Sequence, residues 1–239
     1  AAFDGKVVNV NGVTKNNKLA LIHTYSDKDS GTYYLMDLEK GKLEYLMHSR
    51  SWLDESKLAD REPIEFTARD GLQIRGYLTR PSNGKNLPLL LVVHGGPYGV
   101  KDEWAFDAES QFFANRGYAV LQVNYRGSGG RGNHFQYDAY MKMGKEMQHD
   151  ITDATHWAIE QGIANKDKVC IYGASYGGYA ALMGAVMEPD LYKCTIGYVG
   201  VYNIERWSKS DTIKIKAGRR FLDEAWGYDD PDFVKARSP

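Results

Sequence analysis

Lys168-Val169-Cys170-Ile171-Tyr172-Gly173-Ala174-Ser175-Tyr176-Gly177-Gly178 decides the reading of this 239-residue chain. Its β-branched and aromatic start reads as a strand, the glycines around Ser175 as a turn, and the segment from about Tyr176 to Met187 as a helix. In this strand–turn–helix setting G-x-S-x-G exposes a serine hydroxyl at a helix N-terminus, where backbone N–H groups stabilise developing negative charge. Glycine is needed beside the serine because side chains there would strike the neighbouring strand and helix. Ser175 itself is expected in a strained backbone conformation. The plain alternative, a Gly/Ser-rich turn without chemistry, fits the pentapeptide alone but not its flanking elements.

Working outward, apolar strands alternate with helix-length segments. Strands are expected at Leu89–Val93, Tyr118–Val123, Lys168–Tyr172 and Lys193–Tyr198, with helices near 104–115, 145–161 and 176–187 between them. This alternation points to an α/β domain built on a mainly parallel sheet with helices on its faces. Met147, Ile151, Ala154 and Ala158 recur at helical spacing as one buried stripe; Tyr179, Leu182, Met183 and Val186 do the same in the next helix. Upstream, Glu62–Ala68 and Leu72–Thr79 flank the turn Arg69-Asp70-Gly71 and read as a hairpin, and Pro81-Ser82-Asn83-Gly84 follows as a loop. Further upstream, Lys6–Val10, Leu19–Thr24, Thr32–Asp37 and Leu43–Met47 form an antiparallel meander resembling one β-propeller blade. The expected division is therefore 1–58, the blade-like meander, and 59–239, the α/β domain.

A second motif lies after the first core strand: His94-Gly95-Gly96-Pro97. A glycine pair there lets backbone N–H groups approach a substrate oxygen, so Gly96 N–H and Tyr176 N–H are the expected oxyanion donors for a nucleophile at Ser175. His94 precedes the serine, whereas the order for this arrangement is Ser, acid, His; it reads as a brace for its loop rather than as the base.

Taken in order, His94-Gly95-Gly96-Pro97, Asn124-Tyr125-Arg126-Gly127-Ser128-Gly129-Gly130, Asp150-Ile151-Thr152-Asp153-Ala154 and Gly173-Ala174-Ser175-Tyr176-Gly177-Gly178 resemble the prolyl oligopeptidase family of serine peptidases. The branch most similar is that of acylaminoacyl and dipeptidyl peptidases. The resemblance implies an α/β-hydrolase fold after a β-propeller, and cleavage of short peptides through an acyl-enzyme on Ser175. It also implies that Val201, Tyr202 and Trp207 lie where similar enzymes place part of the pocket for the residue before the scissile bond, with an ordinary aromatic loop as the alternative reading. A carboxylesterase of the same fold and a non-catalytic interaction module remain competing readings.

All six histidines, at 23, 48, 94, 134, 149 and 156, precede Ser175. Acidic residues do follow it, among them Asp211, Asp223, Glu224, Asp229, Asp230 and Asp232, but before the place where such a family delivers its acid and then its histidine. The expectation is a catalytic domain cut short and inactive by itself, with an open sheet edge that invites pairing with the missing C-terminal piece or with a second copy. His149 and His156 share a helix face and read as solvent-facing rather than as metal ligands. No metal or cofactor motif is present; Gly127-Ser128-Gly129-Gly130-Arg131-Gly132 lacks dinucleotide spacing.

Thirty Lys and Arg against 31 Asp and Glu leave a formal charge of -1 without basic blocks, which argues against nucleic-acid partners. The longest apolar run, Leu89–Val93, is far short of the roughly 20 residues of a membrane span. A soluble protein is expected, cytoplasmic in preference to periplasmic. Cys170 and Cys194 each lie in an apolar stretch and read as core residues rather than as a disulfide.

Overall fold

The computed structural model describes residues 3–82, 84–208, 216–228 and 230–239. Asn83, Asp211 and Asp229, named above, lie outside the described residues. Two sheets form. The first is the meander, in order β1 (Val7–Val13), β2 (Leu19–Tyr25), β3 (Thr32–Asp37) and β4 (Lys42–His48), all antiparallel. Along β2, alternate residues Ala20, Ile22 and Thr24 are buried, the period of a strand covered on one face. A short 3-10 turn at Glu55–Lys57, capped by Asp54, leads onward.

Six strands make the second sheet: β5 (Arg61–Thr67), β6 (Gln73–Thr79), β7 (Leu87–Val93), β8 (Ala119–Asn124), β9 (Ala164–Ala174) and β10 (Cys194–Tyr198). Their order across the sheet is β10-β9-β7-β8-β6-β5. The four strands from β10 to β8 are parallel, and the β5–β6 hairpin adds to β8 antiparallel. The α/β class expected from the alternation is thus the one observed. Strand β7 shows why its run is apolar throughout. Leu89, Leu91 and Val93 enter the larger core, while Leu90 and Val92 enter a smaller one with Val120 and Phe113 on the other face.

Helix α1 (Ala108–Ala114) covers that smaller face. It starts later than the expected 104 because Asp107 caps it, accepting from Ser110 N at 2.7 Å. A short α2 (Asn133–Tyr137) precedes α3 (Glu146–Glu160), whose stripe Met147, Ile151, Ala154 and Ala158 is fully buried, as its spacing requires. Helix α4 (Tyr176–Met187) departs from the expected one-sided stripe. Gly177, Gly178, Ala180, Ala181 and Gly184 are buried together with Tyr179 and Met183, while Val186 is 60% exposed. Small residues let α4 approach the sheet closely over its first turns. The C-terminal segments α5 (Ile204–Ser208), α6 (Lys216–Trp226) and α7 (Pro231–Ala236) complete the helices described.

The cysteines correct the reading made from sequence. Cys170 and Cys194 are register partners on the adjacent parallel strands β9 and β10, and they form a disulfide. Their apolar surroundings were no guide, because cross-strand register rather than local composition brings the two thiols together. Among the described residues no helix is long and apolar enough to cross a membrane.

Polar contacts join the sheets. Arg61 N donates to Asp27 Oδ2 at 2.9 Å, and Gln111 Nε2 donates to Ala59 O at 2.8 Å and Asp27 O at 3.3 Å. Lys28 and Asp60 form an ion pair at 2.5 Å.

Candidate active site

Strand β9 runs directly into Ser175, which stands at φ 57° and ψ -121° as the N-cap of α4. A residue with a side chain is strained there, as the tight strand-to-helix reversal of this motif requires, and its neighbours show how tight it is. A Cβ on Gly177 would overlap Val93 O at the end of β7, and one on Gly173 would overlap the Gly177 backbone. Two bonds fix the apex: Ser175 N donates to Tyr198 O of β10 at 3.0 Å, and Tyr179 N donates to Ser175 O at 3.1 Å. Ser175 is exposed, whereas Tyr176 to Ala181 behind it are buried.

The loop after β7 passes this apex. A Cβ built on Gly95 would lie 3.5 Å from Ser175 Cβ and 4.0 Å from its Oγ. Gly96 follows at φ 122°, a conformation suited to glycine. Among the described residues neither Gly96 N–H nor Tyr176 N–H has a hydrogen-bond partner, and Tyr176 is the first residue of α4.

His94 is committed elsewhere. Its Nδ1 lies 2.7 Å from Gly95 O and its Nε2 2.9 Å from Ser128 Oγ. The Tyr125 ring stacks on it at 4.4 Å, and Tyr125 OH donates to His94 O at 3.0 Å. Burial lowers the His94 pKa to about 4, so the imidazole is neutral near pH 7. These contacts agree with a brace. Tyr125 and Ser128 lie in a stretch used above only for resemblance; no local spacing signals their pairing with a residue about thirty positions upstream.

The same stretch is anchored below by charge. Arg126 Nε and backbone N each donate to Asp150 Oδ2 at 2.8 Å, and Nη2 donates to Asp150 Oδ1 at 2.7 Å. Nη1 adds an ion pair with Asp70 at 2.7 Å. Burial opposes the guanidinium charge, but the bonds from Asp150 and Asp70 override it and raise the Arg126 pKa.

Val201, Tyr202 and Trp207 follow β10. Val201 and Trp207 are partly buried against the large core, with Trp207 stacked on Trp226 at 4.8 Å. The Tyr202 ring lies where a Cβ on Gly197 or Gly200 would stand, and it borders a cavity of about 890 Å³ with Asn203, Tyr228 and Val234. A larger apolar proportion marks the cavity of about 470 Å³ bordered by Trp52, Leu58, Phe106 and Phe112, but it contains no residue of the Ser175 turn. Asp29, His48 and Glu55 hold donor atoms within 4.8 Å of one another in the manner of a metal cluster. Lys6 Nζ, 2.6 Å from Asp29 Oδ2, already supplies the cation there.

Residues 104–239 match the model of the prolyl oligopeptidase family. The chain is 37% identical over 206 residues to dipeptidyl aminopeptidase BIII of Pseudoxanthomonas mexicana, covering 82% of this chain and 30% of that protein. It is 32% identical over 205 residues to dipeptidyl peptidase family member 6 of Caenorhabditis elegans, covering 76% and 28%. The chain thus spans about a third of the length of these relatives. The acylaminoacyl peptidase of Pyrococcus horikoshii has the same fold, with a TM-score of 0.79 over 99% of this chain and 38% of that one, at 24% identity. A positive-φ serine between β9 and α4, a glycine loop passing it from β7, and a family match that includes Ser175 make one case: the chain belongs to the prolyl oligopeptidase family.

Proposed function

We propose that Ser175 is the nucleophile of a serine peptidase acting on short peptides, with Gly96 N–H and Tyr176 N–H as its oxyanion donors. One observation carries this reading: an exposed serine held at positive φ, with the Gly95–Gly96 loop passing it and the Gly96 and Tyr176 N–H groups unpartnered among the described residues. Ser175 Oγ attacks the scissile carbonyl carbon and its proton passes to a base. Negative charge gathers on the carbonyl oxygen, where the two N–H groups receive it. Collapse expels the amine, and water releases the acid from the ester. The ring of His94 is bound on both nitrogens, so the base is another group. Val201, Tyr202 and Trp207 are assigned to the pocket for the residue before the scissile bond. Residues 1–58 are assigned to a propeller blade and 59–239 to the α/β-hydrolase domain. The family match and the dipeptidyl aminopeptidase relative support a peptide substrate.

In the full-length protein a fluorophosphonate should modify Ser175, and Ser175→Ala should abolish both modification and turnover of dipeptidyl and acylaminoacyl amides while leaving the melting temperature nearly unchanged. Turnover of small esters without any amide hydrolysis would replace the peptidase reading by an esterase one. Retained turnover in Ser175→Ala would refute the nucleophile.

A further inference from the structure

A peptide group is a rigid plane, and in the trans Gly95–Gly96 unit the Gly95 C=O and the Gly96 N–H point in opposite directions. Whatever holds the carbonyl therefore aims the N–H. The Gly95 carbonyl can only accept, and the Tyr125 hydroxyl, 3.2 Å from Nδ1, gives its proton to His94 O at 3.0 Å, so His94 Nδ1, 2.7 Å from Gly95 O, carries the proton. In a neutral imidazole the other nitrogen is then an acceptor. Nε2 lies 2.9 Å from Ser128 Oγ, and that hydroxyl has no other partner among the described residues. Ser128 is fully buried, so no solvent competes for it. With the opposite tautomer two lone pairs would face each other between Nδ1 and Gly95 O.

The serine is itself held firmly. Ser128 N donates to Tyr125 O at 3.0 Å, Gly129 N to Val100 O at 2.9 Å, and Gly99 N to Gly127 O at 2.9 Å. The first closes a turn within 125–129, and the other two zip that stretch to the loop that carries Gly95 and Gly96. Tyr125 stacks on one face of the His94 ring and blocks its tilt toward that side.

We propose that Ser128 is a positioning residue: its hydroxyl fixes the His94 tautomer and, through His94 and the Gly95 carbonyl, sets the direction of the Gly96 N–H for acyl transfer. This rests on the reading of Ser175 as nucleophile. The hydroxyl touches no substrate and acts at two removes.

Two measurements on the full-length protein test it. In ¹⁵N-histidine spectra, His94 should be protonated on Nδ1 with Nε2 as acceptor; protonation on Nε2 would overturn the proposal without any variant being made. In fluorophosphonate kinetics, Ser128→Ala should lower the maximal rate of Ser175 modification roughly tenfold, short of the 10²–10³ lost with a whole donor, at unchanged inhibitor affinity. Ser128→Cys, similar in size and still a weak donor, should recover part of that rate, and it replaces Ser128→Ala if the latter does not fold. A folded Ser128→Ala labelled at the wild-type rate would overturn the proposal. Failure of the wild type to label would instead count against the proposed function, and the His94 tautomer would still decide the geometry argued here.

Discussion

Asp102 shows how one side chain sets a pH response. Gln122 Nε2 donates to its Oδ1 at 3.1 Å, but Oδ2 is buried and has no partner among the described residues. Burial raises its pKa to about 7, Arg61 pulls the other way, and Asp107 adds to the rise. Between the ordinary carboxylate range and pH 7 the folded protein keeps a proton that the unfolded chain releases. Stability should therefore fall as pH rises through this window and level off above it. Urea midpoints taken from pH 4 to 8 should show that decline, and Asp102→Asn should flatten it. An unchanged slope in the variant would assign the dependence elsewhere. At this scale the sequence was legible where chemistry is local. The turn at Ser175 and its glycines is legible within one pentapeptide, and chain order argued against His94 as the base. Asp102, Tyr125 and Ser128 carry no such signal, because their partners come from strands and loops that only the fold assembles.

Among the elements, the loop from β8 to α2 depends on a buried charge pair. Arg126 caps the Asp150 carboxylate on α3 with three hydrogen bonds, and the Asp150 side chain is fully buried. Arg126→Met should leave that carboxylate unpaired and cost about 3–5 kcal/mol in chemical denaturation. Arg126→Met with Asp150→Leu should recover much of the loss, since the double variant buries no lone charge. A double variant as unstable as the single one would mean that the backbone bond from Arg126 N matters most. The strands and long helices were readable because each is decided by its own period of buried residues. Helix α4 was misread in part, since Val186 fits the apolar spacing yet faces outward, and glycines and alanines do the close packing. Nor does the separation of 24 residues between Cys170 and Cys194 signal pairing; the parallel register of β9 with β10 does.

For the molecule as a whole, the two sheets differ in what holds them. Every residue of the two buried clusters lies at Ile64 or later, so among the described residues the meander contributes nothing to the cores of the α/β sheet. A boundary between 1–58 and 59–239 could be proposed from sequence, because the meander there gives way to the hairpin that leads into the α/β pattern. That the joint is polar could not, because Asp27, Ala59, Arg61 and Gln111 meet only in space. Contacts of this kind are worth about 1 kcal/mol each when the chain keeps their partners close, and far less once it does not. Lys57 is 77% exposed in the connecting segment and offers trypsin a site. A single nick after Lys57 should therefore turn an intramolecular joint into a dilute bimolecular one. The meander should then leave on gel filtration while residues 58–239 keep their unfolding midpoint; comigration of the pieces would reveal an attachment beyond these bonds. Departure of the meander would mean that covalent continuity, rather than adhesion, keeps the first sheet on the second.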